Sequence, residues 1–488
     1  MTEDLWRSLL EPALLANTTQ RIISVEHKEP LERTFAALLA DVDAIARRLL
    51  SAGVGPGQPV GIVGPNCLAW IATDLAVLKI GAHSVGLQTV GGQHHRATAL
   101  RAVVSVSPHI GSCENTPLLS EQSWNLELAA TWESLPAGTQ SVAFSSGTTG
   151  TSKGLLLTAE GIRRAIDVSR TAWQVSREDA IFVVLPLSSF QQRLLCYVAI
   201  CSGAAAHLVP PERMYQMMTR LEPTIVLGPP SFFELIPRVP SWRSIYGQRA
   251  RLLLTGSAPV PPALIAYAES NDVPLFEVYG STEFGWISMN LPGIAKPGTS
   301  GRLVPGVRLR FGAEGEIQVS SPANQAFGYI WDQHVSEPEV FLADGWINTG
   351  DIGELDKNGY LCLSGRKKNV LITRSGVKIA PEPIERHFVD HPDVSASMAF
   401  LSANGARVQL AIWVNQPSGS IQQELELLCL SVNAKLPDHS KVRGIEIRNA
   451  EELSSESGVL TRNRKLNRTR ALQLLQGKES RMLSNQHE

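Results

Sequence analysis

The 488-residue chain lacks most of the features that characterise disulfide-rich, zinc-binding or nucleic-acid-binding proteins. It has only six cysteines, with no CxxC pair and no Cys/His cluster, which argues against a disulfide framework and a zinc site. We expect these thiols to be buried and reduced, as in a reducing compartment. The formal net charge of −2 argues against a nucleic-acid-binding surface, because such domains are usually basic, so we expect no nucleic-acid partner.

We expect neither a targeting segment nor a membrane-spanning segment. The first 21 residues carry acidic side chains early and contain no uninterrupted apolar core, so they do not form a secretory signal. Residues 194–211 are uncharged, but they are short for a membrane span and include histidine, glycine and two prolines. We predict a buried helix and a core strand there. We expect a cytoplasmic protein whose membrane contact is at most peripheral.

Short apolar runs alternate with helical patterns over the first three hundred residues or so. Residues 59–64, 180–187, 224–228 and 250–256 are apolar throughout rather than at alternate positions. Such runs indicate strands covered on both faces, as in a parallel α/β sheet. From about Gly312, EGEIQVSS and NGYLCLSG indicate half-exposed strands separated by turns, and so a smaller β-rich unit.

A charged segment with strand and helix signals follows Gly365, and we place a domain boundary there. The predicted fold class is α/β. A large N-terminal domain, residues 1–366, would contain mostly parallel sheets and a β-rich subdomain. A small α+β C-terminal domain would comprise residues 367–488.

The loop SSGTTGTSKG, residues 145–154, combines glycines, hydroxyl side chains and a lysine. Glycines let backbone N–H groups approach a phosphate closely, and the side chains add donors. The spacing differs from the P-loop of NTPases, because Ser152 precedes Lys153 and Gly154 stands where a hydroxyl residue should follow. A phosphate loop of another kind is expected, with a flexible surface loop as the alternative.

Four further stretches carry candidate chemistry. LLLTGSAPV, residues 252–260, is a strand that enters a turn of small residues. In VYGSTEFG, Glu283 lies beside two hydroxyls and is a candidate Mg²⁺ ligand. Asp351, between glycines, is able to accept hydrogen bonds from ribose hydroxyls, and Arg366 is a candidate for the sugar or a phosphate. The basic run GVLTRNRKLNR contains Lys465. Each stretch has an ordinary turn, hairpin tip or solvated face as its alternative.

Taken in this order, SSGTTGTSKG, YGSTE, TGD and GRKKNVLITRSG resemble the adenylate-forming superfamily of acyl-CoA synthetases, peptide-synthetase adenylation domains and firefly-type luciferases. The segments LPLSSFQQR, GRKKN and LTRNRKLNR are most similar in sequence to long-chain or medium-chain acyl-CoA synthetases. The resemblance implies a two-step reaction. A carboxylic acid and Mg-ATP yield an acyl-adenylate and pyrophosphate, and a thiol then displaces AMP. The thiol belongs to coenzyme A or to the phosphopantetheine of a carrier protein.

The resemblance also assigns roles to individual residues. Those implied for nucleotide binding are Ser145, Thr148, Thr149 and Lys153 at the phosphates, Gly256, Ser257 and Ala258 at the adenine, Tyr279 near the base, and Asp351 and Arg366 at the ribose. Those implied for catalysis and motion are Thr282 at the α-phosphate, Glu283 at the magnesium, Lys465 between the attacking carboxylate and the α-phosphate, Lys368 at the hinge of a mobile C-terminal domain, and Gly376 at the thiol tunnel.

The acid is the least constrained part of this interpretation. Ser189 stands where many relatives have a histidine near the acyl pocket, and Arg464 precedes Lys465 where relatives often have glycine. Aromatic residues that correspond to the pocket suggest an apolar acid, fatty or aryl: Phe232, Phe233 and Trp286.

We expect coenzyme A as the acceptor, with an acyl- or peptidyl-carrier protein as the alternative. We expect such a carrier to be a separate protein, because the chain ends soon after Arg468. A non-catalytic nucleotide-binding relative is a third possibility. The chemically important side chains are present, which argues against it.

Overall fold

The computed structural model describes residues 4–26, 30–87, 89–90, 93–94, 100–107, 124–144, 154–330, 340–389, 391–454, 457–460 and 466–475. Strands and α-helices are numbered along the chain. The α-helices are α1 (Glu11–Ala16), α2 (Phe35–Ser51), α3 (Leu68–Lys79), α4 (Ala159–Ala172), α5 (Phe190–Ser202), α6 (Met214–Leu221), α7 (Arg243–Tyr246), α8 (Pro262–Ser270), α9 (Glu382–Val389) and α10 (Gly419–Asn433).

A nine-stranded sheet has the spatial order β17-β16-β15-β14-β13-β11-β12-β1-β2. Its strands are β1 (Arg21–Ser24), β2 (Leu31–Thr34), β11 (Ala180–Val183), β12 (Ala205–Leu208), β13 (Ile225–Gly228), β14 (Leu252–Thr255), β15 (Leu275–Ser281), β16 (Gly285–Met289) and β17 (Arg302–Leu303). The strands from β15 through β1 in this order are parallel to one another. Three of the four apolar runs predicted as buried strands thus form its centre, as β11, β13 and β14.

A seven-stranded sheet has the order β20-β10-β9-β4-β3-β7-β8, with a parallel centre from β9 to β7. Its strands are β3 (Pro59–Val63), β4 (His83–Gly86), β7 (Ala102–Val106), β8 (Trp124–Leu128), β9 (Ser141–Phe144), β10 (Gly154–Leu157) and β20 (Ala326–Ile330). A separate two-stranded ribbon contains β5 (Thr89–Val90) and β6 (Gln93–His94).

The main hydrophobic core unites side chains of both large sheets with those of α3 and α5. In α3 every residue from Leu68 to Leu78 is buried, as expected for a helix that is apolar on all sides. The uncharged segment 194–211 forms most of α5 and then β12, which confirms the predicted helix and strand. Within the described part of the chain, no helix is long and apolar enough to cross a membrane.

Smaller sheets follow the two large ones. A four-stranded antiparallel sheet contains β18 (Arg308–Phe311), β19 (Glu316–Ser320), β21 (Ile347–Leu355) and β22 (Leu361–Arg366), and so forms the predicted β-rich unit. The remaining strands are β23 (Leu371–Ile372), β24 (Lys378–Ile379), β25 (Val394–Leu401), β26 (Val408–Val414) and β27 (Val442–Asn449).

The apolar side chains beyond residue 370 pack among themselves. Two clusters contain only residues 371–475, with α9 and α10 against the β25-β26-β27 sheet. The clusters that precede them in the chain extend no further than residue 363. This small α+β unit therefore has a hydrophobic core of its own.

Candidate nucleotide and acid site

The residues predicted to contact adenine, magnesium and ribose lie near the carboxyl ends of β14 and β15 in the nine-stranded sheet. Gly256 follows the carboxyl end of β14, and Tyr279 lies in the second half of the neighbouring parallel strand β15. Loops after the carboxyl ends of parallel strands are the usual place for ligands in α/β sheets. The fold therefore brings together residues that are about 100 positions apart in the sequence.

Tyr279, Asp351 and Arg366 form a hydrogen-bonded group. The Tyr279 hydroxyl donates to Oδ2 of Asp351 at 2.7 Å, and Nε of Arg366 lies 2.7 Å from Oδ1. Asp351 and Arg366 face each other directly in the β21–β22 pair, so strand register alone places them together. The Asp351 side chain is 9% exposed and that of Arg366 is 51% exposed. The carboxylate is thus fixed at the inner end of the group and the guanidinium reaches solvent.

Burial has the largest effect on the pKa values of Asp351 and Tyr279. It raises the pKa of Asp351 above its ordinary value, against the lowering effects of Arg366 and of the Tyr279 hydrogen bond. The nearby carboxylates of Glu283 and Glu382 raise the pKa of Asp351 further. Burial, reinforced by Asp351, raises the pKa of Tyr279 well above its usual range. Tyr279 therefore stays a neutral donor, and Asp351 depends on Arg366 and Tyr279 to remain ionised.

Glu283 is held by a tyrosine from a distant strand. The Tyr329 hydroxyl donates to Oε1 of Glu283 at 2.8 Å. Tyr329 lies on β20, where it pairs with Leu155 of β10, and Gly154 pairs with Ile330. Since β10 begins at Gly154, the end of the SSGTTGTSKG loop and Glu283 are joined through β20. The structure thus places the magnesium candidate beside the exit of the phosphate-loop candidate.

Thr282 is supported from the same segment. Nε2 of Gln325 donates to the backbone oxygen of Thr282 at 2.8 Å, and the Gln325 side chain is buried. The backbone also joins here, because the amide of Ala326 donates to the oxygen of Glu283 at 2.9 Å. Both sides of the YGSTE turn are therefore fixed by residues 325–329.

The turn after β14 has little space for side chains at its start. A Cβ added to Gly256 would lie 2.3 Å from the backbone oxygen of Val278, so only glycine fits there. Ser257 has a φ of 66°, in the left-handed region that non-glycine residues seldom adopt. Ser257 is exposed and Ala258 is half-buried. Such local strain is common at ligand sites.

The buried side-chain amides of Asn66 and Gln192 hold the turn that carries Ser189 in place. Oδ1 of Asn66 accepts from the Leu187 amide at 2.9 Å, and its Nδ2 donates to the Val184 oxygen at 3.2 Å. Oε1 of Gln192 accepts from the Val184 amide at 3.2 Å. Ser189 itself is half-buried at the start of α5, and its side chain does not cap the helix.

The three aromatic residues predicted for the acyl pocket have different surroundings. Trp286 is buried, packs edge-on against Trp173 with ring centres 5.6 Å apart, and donates from Nε1 to Oγ of Ser169 at 2.8 Å. Phe233 is fully buried and stacks on Tyr246 at 5.8 Å.

Phe232 is half-buried, and its ring lies so close to Gly228 that a Cβ there would be 2.1 Å from Cδ2. Of the three, Phe232 retains accessible surface, while Trp286 and Phe233 also fill the core. Their assignment to a pocket stays a prediction.

A fully buried ion pair lies beneath these turns. Nη1 of Arg193, on α5, is 3.5 Å from Oδ1 of Asp74, on α3, and both side chains are 0% exposed. Tyr197 donates a further hydrogen bond to Asp74. Arg193 also donates to Oγ of Ser141 at 2.9 Å and to the oxygen of Val142 at 3.3 Å. Arg193 thereby joins α5, which follows Ser189, to β9, which leads into the SSGTTGTSKG loop.

The predicted hinge and thiol-tunnel residues lie on exposed turns. Lys368 is exposed in a 3₁₀ turn (Lys367–Asn369) directly after β22. Gly376 has a φ of 82° in the exposed turn between β23 and β24, and its amide donates to Thr373 at 2.8 Å. Further along, Arg468 forms an ion pair with Glu385 of α9.

Six predicted or discussed residues lie outside the described part of the chain: Ser145, Thr148, Thr149, Lys153, Arg464 and Lys465.

Comparison with known proteins supplies the family. The model of the AMP-binding enzyme family matches residues 15–336, about two thirds of the sequence. The chain belongs to the AMP-binding enzyme family. An indoleacetate–CoA ligase of Aromatoleum aromaticum is 28% identical over 407 residues, which are 74% of this chain and 79% of that protein. An oxalate–CoA ligase of Arabidopsis thaliana is 26% identical and covers 88% of this chain and 92% of its own length.

The solved structures agree on the fold. The anthranilate CoA ligase AuaEII, in complex with anthranoyl-AMP, superposes with a TM-score of 0.78, is 19% identical and covers 97% of each chain. The predicted α/β fold and the predicted resemblance to ATP-using, AMP-forming CoA ligases are therefore confirmed.

Several residues near the site were not predicted from the sequence, among them Tyr329, Gln325, Asn66 and Glu277. Tyr329 and Gln325 lie in ANQAFGYI, which has no polar motif beyond a short strand signal. Glu277 precedes Tyr279 by two positions, and burial raises its pKa to about 7. The strand LFEVYGS does not alternate between polar and apolar residues, so its pattern does not single out Glu277.

Proposed function

We propose that this AMP-forming ligase activates an apolar carboxylic acid, fatty or aryl, and transfers it to coenzyme A. The observation that carries the proposal is the joined arrangement of Tyr279, Asp351 and Arg366 with Glu283 at one sheet edge. A buried carboxylate that accepts from a tyrosine and an arginine is well suited to receive the two hydroxyls of a ribose.

The residues present fit Mg²⁺. No cluster of three or more metal-ligating side chains exists among the described residues, and Glu283 contributes a single carboxylate. This suits Mg²⁺, which usually binds one or two carboxylates, several waters and the phosphates of its substrate. When bound, the ion would neutralise charge on the nucleotide phosphates. We infer that Tyr329 orients Glu283 for this task.

The first half-reaction needs positioned charge more than acid–base catalysis. An oxygen of the carboxylate attacks the α-phosphorus, and the bond to the bridging oxygen of pyrophosphate breaks. We propose that Thr282 donates to the α-phosphate, while Lys153 and the hydroxyls of Ser145, Thr148 and Thr149 hold the leaving pyrophosphate. Lys465 would bridge the attacking carboxylate and the α-phosphate. These assignments rest on the motifs.

The second half-reaction transfers the acyl group to a thiol. The sulfur attacks the acyl carbonyl carbon, and the bond to the AMP oxygen breaks. We propose that residues 367–488 form a domain that turns about Lys368 and brings Gly376 toward the thiol. The separate hydrophobic core of residues 371–475 supports such rigid-body motion. A cytoplasmic location stays a prediction.

The acid class has mixed support. The names of the relatives include indoleacetate, feruloyl and long-chain fatty acid, together with oxalate. Phe232 offers an apolar surface near Gly228, and the clamped turn at Ser189 offers a small polar side chain in place of a larger one. We therefore favour an apolar acid.

The test is ATP–pyrophosphate exchange with a panel of aryl and aliphatic acids, followed by product analysis with coenzyme A and with a holo carrier protein. We expect exchange with at least one apolar acid, and its loss in Lys465→Ala. Lys435→Ala, an exposed lysine of the same unit, is the matched control and should remain active. Tight ATP binding without exchange for any acid would overturn the proposal. Acyl transfer to the carrier protein alone would show that the acceptor is the carrier protein and not coenzyme A.

A further inference from the structure

A polar cavity lies at the amino ends of the parallel strands of the nine-stranded sheet, whereas the candidate nucleotide site lies at their carboxyl ends. Its volume is about 330 Å³, inside the roughly 300–1,000 Å³ of small-molecule sites. Residues that begin β1, β11 and β12 line it, namely Arg21, Ala180 and Ala205. These strands run parallel to β14 and β15, whose carboxyl ends carry the nucleotide site. The two sites are therefore separated by the length of the strands.

Small side chains create the space. Ala180 and Ala205 are directly paired across β11 and β12. The side chains around these alanines are long and mostly polar, including three arginines and a histidine. A depression lined by two alanines and several polar side chains is able to hold a small charged molecule.

Two of the arginines are not paired with an acidic side chain in the described part of the chain. Arg177 and Arg249 are exposed and form no ion pair with any residue that the structure describes. Nη2 of Arg177 donates to Oδ1 of Asn17 at 3.3 Å, and Nη2 of Arg249 donates to the backbone oxygen of Glu178 at 2.7 Å. Each guanidinium has five N–H donors, so most of them remain available.

The acidic residues at the cavity offset only part of this charge and leave it positive. Asp179 already accepts from Nε and Nη2 of Arg251, both at 2.8 Å, and from Thr224 at 2.7 Å. Arg21 is paired with Glu32. Glu178 is exposed, and its backbone oxygen rather than its carboxylate contacts Arg249.

A buried histidine supplies an independent observation. His207 lines the cavity, is 4% exposed, and its Nδ1 is buried without a hydrogen-bond partner in the described structure. Burial and then the charge of Arg249 lower the pKa of His207 to about 4. The ring is therefore neutral at physiological pH and keeps one N–H donor.

We infer that this cavity is a binding site for a small phosphate-bearing anion, held by Arg177 and Arg249 beside His207. Guanidinium groups match the oxygens of phosphate in pairs, whereas a cation would be repelled by the arginines. The same chemistry is offered by free phosphate, by pyrophosphate and by the phosphate monoester of a polyol. The inference does not depend on the proposed ligase reaction.

Calorimetric titration of the full chain at constant ionic strength tests this site. The probes are inorganic phosphate, pyrophosphate and glycerol 3-phosphate, with ATP present to occupy the nucleotide site. We expect saturable binding of at least one probe, and a loss of at least tenfold in affinity in Arg177→Gln/Arg249→Gln. Both side chains are exposed, so folding should persist. Arg238→Gln, an exposed arginine away from the cavity, should bind as the parent does.

A second readout locates the anion. The ring signal of His207, identified by its absence in His207→Asn, should shift on titration with the bound probe and stay fixed in the double arginine variant. The tightest probe then identifies the source of the phosphate. Non-saturable binding, equal affinity in the double variant or an unmoved His207 signal would each overturn the inference.

Discussion

The hydroxyl of Tyr279 and the carboxylate of Asp351 are joined by a buried hydrogen bond of 2.7 Å. Tyr279 belongs to the nine-stranded sheet and Asp351 to the four-stranded antiparallel sheet. The bond therefore fixes the distance between the adenine side and the ribose side of the candidate nucleotide site. It also helps to keep Asp351 ionised in a buried environment that favours its neutral form.

Tyr279→Phe should weaken ATP binding while leaving the fold intact. Hydrogen bonds to charged groups contribute about 1.5–3 kcal/mol, so we expect the KM for ATP to rise by roughly 10- to 100-fold. Without the donor, the pKa of Asp351 moves higher still, which weakens ribose binding further. Exchange kinetics at varied ATP give the KM. An unchanged KM for ATP would contradict the assignment of Asp351 to the ribose.

Arg193→Met should destabilise the chain, because it leaves the charge of Asp74 buried without its partner. Loss of one partner from a buried ion pair typically costs about 3–5 kcal/mol. We expect a lower urea midpoint, with part of the loss recovered when Asp74→Asn removes the remaining charge. Arg243→Met, on the partly exposed α7, is the control and should change the midpoint little. Equal midpoints for Arg193→Met and for the double variant would show that the unpaired Asp74 charge costs nothing, which would contradict the prediction.

Most of the fold could be predicted from the sequence, because local patterns determine its elements. Buried parallel strands appear as continuous apolar runs, and β3, β11, β13 and β14 lie within the runs identified for them. The contact between Asp351 and Arg366 is also local, since the two residues are neighbours in adjacent strands of one antiparallel pair.

Contacts between distant segments could not be predicted. Tyr329 reaches Glu283 only because β20 pairs with β10, which is more than 160 residues earlier in the chain. Aromatic residues posed a related problem. Trp286 fills the core against Trp173. Its residue type and its position in a strand are the same for a core residue and for a residue that lines a pocket, so the sequence does not distinguish the two.

Asn66→Ala should affect the acid more than the nucleotide. The substitution removes the acceptor of the Leu187 amide and a donor to Val184, so the turn before Ser189 loses part of its clamp. Each unsatisfied buried group costs about 1–3 kcal/mol. We expect the KM for the acid to rise at least several-fold, with a smaller change for ATP. Parallel increases in both values would indicate a general loss of structure instead.

Glu277→Gln should make the free energy of unfolding less dependent on pH. Burial raises the pKa of Glu277 to about 7 from its ordinary 4.5, with the Ser300 hydrogen bond and the Arg386 charge opposing the shift. The folded state therefore keeps a proton that the unfolded state releases. This contribution to stability is fully present below pH 4.5 and is lost as the pH rises to about 7.

The measurement is the free energy of unfolding in urea from pH 4.5 to 8, for the parent and for Glu277→Gln. The parent should lose about 3 kcal/mol relative to the variant across this window, at ~1.4 kcal/mol per pKa unit. Glu269→Gln, at an exposed position on α8, is the matched control and should follow the parent at every pH. A constant difference between parent and Glu277→Gln would mean that Glu277 does not titrate in this range, and that Arg386 and Ser300 keep it ionised throughout.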